Sequence, residues 1–267
     1  MLFRSYTIFN KSDSRTYYSR SVEYSGDWLS LFKSGTTFIS YVAYPFTNKL
    51  NFSYEMAMLL FAWFGYLGFI HFYIFFKENV KLKLQFWGYD LLLILLFLPN
   101  MHFWTASLGK GSLIFLGLGL FAYAMRYPQK RLFAIILGSV IVYMVRPHMF
   151  MFLGLGAVLG YFTGREKVPV YQKVLVYVAF AGGIFVMSDQ ILAMANINEE
   201  DVMGSFDEFS QVQAGRLSRA GSGVDITNYP LPLKLFTFWF RPLFVDAPGA
   251  LGIFVSFENL LYVILAF

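Results

Sequence analysis

Residues 54–76 read YEMAMLLFAWFGYLGFIHFYIFF, without a single Lys, Arg or Asp. The hydrocarbon core of a bilayer is about 30 Å thick, and an α-helix needs roughly 20 apolar residues to cross it. The stretch has that length and character, so it predicts a membrane-spanning helix. Working outward, six more apolar stretches follow, at 86–98, 111–127, 132–145, 149–162, 174–195 and 250–267. The stretch 174–195 is of full spanning length, 250–267 just reaches it, and the other four are short. Residues 35–46 are apolar but carry Thr36, Thr37 and Ser40, which reads as an interfacial or re-entrant helix. The expected fold is all-α: a polytopic transmembrane helical bundle with about seven spans, several of them short or broken. Its parts are an outer-side N-terminal segment (1–53), the bundle (54–195), an outer loop (196–249) and a terminal helix (250–267).

Composition points the same way. The 267 residues are 57% hydrophobic and 14% charged, whereas an ordinary soluble domain is about 25% charged. A globule of this size would lack polar cover for its surface. The 32 Phe and 18 Tyr suit helix packing and interfacial belts, or stacking on sugars and prenyl chains. With no cysteine, disulfides, thiolate metal sites and Cys nucleophiles are excluded. The net charge of +5 does not point to nucleic acid, because many of the bases lie in loops between apolar stretches. Residues 1–14 contain no apolar run of the signal-peptide kind. No internal repeat is visible, which counts against a transporter built from duplicated halves.

Lys and Arg in short loops set orientation. Lys77, Lys81 and Lys83 follow the first span; Arg126, Lys130 and Arg131 form a second group, and Arg165, Lys167 and Lys173 a third. These loops alternate with the spans and are placed in the cytoplasm of a bacterial inner membrane. Residues 1–53 then fall outside with no span before them, so the expectation is either an upstream membrane helix before Met1 or a register of spans that starts late.

Polar chemistry gathers on the outer side. Pro99 ends one apolar stretch, His102 and Trp104 follow, and Gly109 and Gly111 flank Lys110 at the start of the next. A helix N-terminus with a Lys suits phosphate or pyrophosphate; a Lys snorkelling to the interface is the alternative. Arg146, before Pro147 and His148, offers a fork of donors to an oxyanion or to a lipid phosphate. His148 is either a general base or structural. His71, His102 and His148 lack metal-ligand spacing, so no His metal site is expected. Asp13 and Asp27, among Tyr17, Tyr18 and Trp28, are candidate general bases; each could equally cap a helix or turn. Arg241 before Pro242 either binds an anion or pairs with Asp246. Glu258 inside the last apolar run needs a partner, which Arg241, Arg146 or Lys110 could supply. Residues 205–220 predict an outer amphipathic helix. The acids Glu199, Glu200, Asp201, Asp207 and Glu208 could hold a divalent cation or form a solvated face.

With these residues assembled, the chain resembles the bacterial membrane proteins of surface-polysaccharide assembly, the O-antigen polymerase-like and GT-C type glycosyltransferases. Three pieces carry the resemblance: the acidic, Tyr-rich first segment (Asp13, Tyr17, Tyr18, Asp27), the turn 103–110 ending in Lys110, and the turn 240–244 leading to Glu258. The paired Arg-rich outer loops of the polymerases are not evident. The resemblance implies a polyprenyl-linked saccharide as substrate. Lys110, Arg146 and Arg241 would hold its diphosphate, with His148, Trp104, His102 and Glu258 nearby, and Asp13 or Asp27 would activate the acceptor. The alternative is a non-catalytic membrane subunit of an envelope assembly or transport complex, with other membrane subunits as partners.

Overall fold

The computed structural model describes residues 12–81, 85–163, 229–247 and 249–266, with isolated helical positions between 170 and 185. It is mostly helical, as an all-α fold requires. The chain forms two compact units, Met1–Phe185 and Val186–Phe267.

In the first unit, helix α1 (Asp13–Glu23) starts at Ser12, whose hydroxyl accepts from the Ser14 N–H. A single 3-10 turn, Trp28–Leu31, is capped by Asp27, and α2 (Thr36–Tyr44) runs on into a π-turn, Pro45–Lys49. Gly35 enters α2 at φ 92°, a left-handed conformation that a side chain disfavours. Helix α3 (Tyr54–Asn79) follows, its N–H of Met56 capped by Ser53.

The chain then climbs back along α3. Asp90 lies 3.9 Å from Lys77, His102 stacks on Phe69 with ring centroids 4.0 Å apart, and the Leu108 N–H meets Met58 Sδ at 3.2 Å. This return leg is broken. The sequence predicts one helix over 86–98, and the structure instead has a hairpin, Gln85–Phe86 with Tyr89–Asp90, then α4 (Leu91–Leu96) and α5 (Pro99–Thr105). Trp87 and Gly88 turn the hairpin at φ 51° and 80°. Asp90 restarts helix by accepting from the Leu92 N–H, and Pro99 starts the next helix because it cannot continue the last.

Helix α6 (Lys110–Met125) descends parallel to α3, with Phe115 against Phe69 and Tyr123 against His71. Helix α7 (Leu132–Val145) returns antiparallel to α6, and α8 (Pro147–Thr163) leaves from its end. Glycines let the backbones touch. A Cβ on Gly119 would sit 2.7 Å from the Gly68 carbonyl oxygen, and one on Gly138 would sit 2.6 Å from that of Gly117. Small residues at helix contacts are the usual means of close approach in apolar solvent.

Among the described residues, α3 alone is long and apolar enough to cross a bilayer, and α5 with α6 passes only as a pair bent by 110°. Helix α7 has 14 residues, about 21 Å at 1.5 Å per residue. The apolar window of α3 is only 22% buried, and Leu59, Trp63 and Tyr66 point outward along one face.

The second unit contains α9 (Leu231–Phe240), a 3-10 turn (Phe244–Asp246) and α10 (Gly249–Ala266). Asn259 Nδ2 donates to the Pro242 carbonyl at 2.9 Å, and Phe244 packs edge-on to Phe257. The amphipathic helix expected over 205–220, the acids from Glu199 to Glu208 and most of 174–195 lie outside the described residues.

Candidate functional site

One buried apolar cluster gathers five separate stretches at the Tyr54 end of α3. It contains Tyr17 of α1, Ile39 of α2, Phe61 of α3, Leu108 before α6, and Met144 with Val145 at the end of α7. The Gly35 N–H donates to the Met144 carbonyl at 2.7 Å and ties α2 to the same place. Asp13, Lys110 and Arg146 lie close in sequence to its members Tyr17, Leu108 and Val145.

Tyr17 is the junction. Its hydroxyl donates to Asp13 Oδ2 at 3.5 Å. Its ring lies 4.0 Å from where a Cβ on Gly109 would stand. Burial pushes the Tyr17 hydroxyl pKa up, and the Asp13 carboxylate adds to the rise; Arg20 and Arg146 act in the opposite direction without overcoming it. One buried phenol therefore touches the carboxylate, adjoins the residue before Lys110 and feels the charge of Arg146. The sequence quoted Tyr17 only as part of a Tyr-rich segment. Its burial, 5% exposed, is what gives it this place. Ser14 joins α1 to α3 through a 2.6 Å hydrogen bond with the Tyr54 hydroxyl.

Lys110 is the first residue of α6, as its flanking glycines predict. Gly109 is fully extended and offers no side-chain cap, so the first amides of α6 stay unmatched by any side chain at that position. The Ser112 hydroxyl turns back to the carbonyls of Ser107 and Gly109, at 3.0 and 3.1 Å, and fixes the turn. The positive end of the helix dipole and the Lys110 ammonium both favour an anion there. Arg146 closes α7, its N–H donating to Val142 O at 2.8 Å while its side chain is exposed. His148 is exposed in the first turn of α8. Asp13, the Gly109–Lys110 helix start and Arg146 thus each lead to Tyr17, through a hydrogen bond, a backbone approach and an electrostatic effect respectively.

The other expected site residues are placed differently. Asp27 caps the 3-10 turn, accepting from the Leu29 N–H at 3.3 Å. Trp104 is exposed and edge-on to Phe103. His102 lies deeper: its partner Phe69 is about 12 Å beyond Phe61 along α3 at 1.5 Å per residue, and its Nε2 meets the Leu96 carbonyl at 2.8 Å. In the second unit, Arg241 pairs with Asp246, and Asp246 also accepts from the Leu243 N–H at 2.7 Å. Glu258 is buried and accepts from the Tyr262 hydroxyl at 2.6 Å, one turn on. Among the described residues no group of three or more His, Asp or Glu side chains could hold a metal ion. No family model, curated protein or solved structure matches the chain.

Proposed function

We propose that the chain is a multi-pass protein of a bacterial inner membrane and acts there as a glycosyltransferase or polysaccharide polymerase on polyprenyl-linked sugars at the outer face. In this reading about seven apolar stretches of the chain span the membrane. The end of α3 carrying Lys77, Glu78 and the Arg131 contact faces the cytoplasm, and the Tyr54 end faces outward. The observation that carries the proposal is the convergence on Tyr17 of Asp13, the Gly109–Lys110 helix start and Arg146.

Chemistry follows from the charges. Lys110 and Arg146 hold the donor diphosphate and stabilise the negative charge that develops as it leaves. Asp13 takes the proton of the acceptor hydroxyl as that oxygen attacks the anomeric carbon. The test replaces Lys110 and Arg146 by Ala and measures the amount and chain length of surface polysaccharide, with protein level checked by immunoblot. Long chains should disappear. Wild-type chain length at normal protein level would overturn the proposal.

A second reading, a non-catalytic integral subunit of an envelope complex, is favoured by the exposed aromatics Trp63, Tyr66, Phe133 and Phe152. Purification in a native detergent separates the two. A discrete stoichiometric complex without polyprenyl lipid supports the subunit.

A further inference from the structure

Trp28, Leu29 and Phe32 are 38%, 64% and 49% exposed, next to one another at the Tyr54 end of the first unit. Their exposure is held in place. Trp28 stacks on Tyr41 with centroids 4.8 Å apart and planes 8° from parallel, and Phe32 meets Tyr41 edge-on at 5.1 Å. The indole N–H donates to the Tyr41 carbonyl at 3.0 Å, so the ring can enter an apolar medium without losing a water partner. Asp27 spends its carboxylate on the Leu29 N–H and fixes the turn that presents all three side chains.

Helix α2 already buries Phe38, Ile39 and Ala43 against Ala57, Met58 and Phe61. Those partners occupy the first two turns of α3, within about 10 Å of its start. The aromatic patch, packed on Tyr41 of that short helix, therefore lies level with the beginning of the apolar helix, where Trp and Tyr gather in membrane proteins. Lys33 follows Phe32 and is exposed, which complements a lipid phosphate.

We propose that Trp28, Leu29, Phe32 and Tyr41 form an interfacial anchor that enters the headgroup region of the leaflet at the Tyr54 end, with Lys33 against lipid phosphate. The anchor rests on the membrane reading above and fixes α1 and α2, and with them Asp13 and Tyr17, at a set depth over the helix ends.

The chain has 5 Trp, and two single-Trp forms test the idea, one keeping Trp28 and one keeping Trp63, with the others replaced by Phe. Each is reconstituted in phosphatidylethanolamine–phosphatidylglycerol vesicles containing lipid brominated near the headgroup or near the chain end. Trp28 emission should fall more with the shallow bromine, and Trp63 emission more with the deep one. Quenching of Trp63 but not of Trp28 overturns the anchor and leaves the membrane reading standing; quenching of neither overturns both. Because the chain has no Cys, a nitroxide on Leu29→Cys gives a second measurement with all tryptophans intact. Its relaxation should respond more to oxygen than to a water-soluble nickel chelate. The reverse order, as expected for a face covered by water, saccharide or a second protein copy, overturns the anchor.

Discussion

Arg131 grips Glu78 with both terminal nitrogens, at 2.7 Å to Oε2 and 2.6 Å to Oε1. The guanidinium also lies 3.7 Å from the centre of the Tyr123 ring and donates to the Tyr123 carbonyl. One side chain thus joins the foot of α3 to the turn between α6 and α7. Arg131→Lys keeps the charge and loses the fork and the stacking. With side chains 16% and 25% exposed, the pair falls between surface and buried cases, and the loss should be about 1–2 kcal/mol. Thermal unfolding in detergent, followed by circular dichroism, measures it.

The same pair sets a pH dependence. The Arg131 hydrogen bonds hold the Glu78 carboxyl below its ordinary value of 4.5. A group depressed on folding adds stability above its unfolded value and loses it as pH falls through the folded one. The midpoint of unfolding should therefore fall faster below pH 4.5 in the wild type than in Glu78→Gln. Parallel curves for the two proteins would show that the pair contributes nothing to acid sensitivity.

Gly119→Ala places a methyl 2.7 Å from the Gly68 carbonyl oxygen, and backbone cannot move aside as a side chain can. Helices α3 and α6 must separate, at a cost of roughly 1–3 kcal/mol. Gly156→Ala meets nothing within 4 Å and should be neutral or stabilising by about 0.5–1 kcal/mol through helix propensity. The two variants, compared by unfolding midpoint, separate contact from propensity.

Asp13 and Asp27 make different predictions. An Asn caps as well as an Asp, so Asp27→Asn should leave polysaccharide output unchanged, while Asp27→Ala lowers protein level. Asp13→Asn cannot accept a proton and should abolish output at normal protein level. Equal output from Asp13→Asn and the wild type would remove Asp13 from the mechanism.

Sidedness can be read directly, since no native Cys interferes. Lys33→Cys and Lys130→Cys both replace exposed residues. A membrane-impermeant maleimide should label the first in spheroplasts and the second only after permeabilisation. Labelling of both in intact spheroplasts would sink the membrane reading.

Much of the helix pattern was legible in the sequence, because apolar runs and helix signals are local. Residues 132–145 are helical as read, and Lys110 begins its helix between two glycines. The span expected over 86–98 was not legible, since Trp87 and Gly88 at positive φ fold a hairpin that apolar content conceals. The meeting of Asp13, Tyr17, Gly109 and Arg146 was not legible either. It depends on α6 running parallel to α3 after a return leg, and no local pattern encodes that. Arg241 and Asp246 were readable as an ion pair from their spacing across a proline, and the structure has that pair.

The break in the return leg also decides where a proton sits. A carbonyl oxygen can only accept, so a neutral His102 facing Leu96 O must carry its hydrogen on Nε2, leaving Nδ1 with the lone pair. His71 faces the Leu67 carbonyl with Nδ1 instead, so its neutral ring is the opposite tautomer. The two imidazoles are thus chemically distinct, with lone pairs on different nitrogens. Nitrogen NMR of the two rings should show two separate tautomeric signatures from one apolar region.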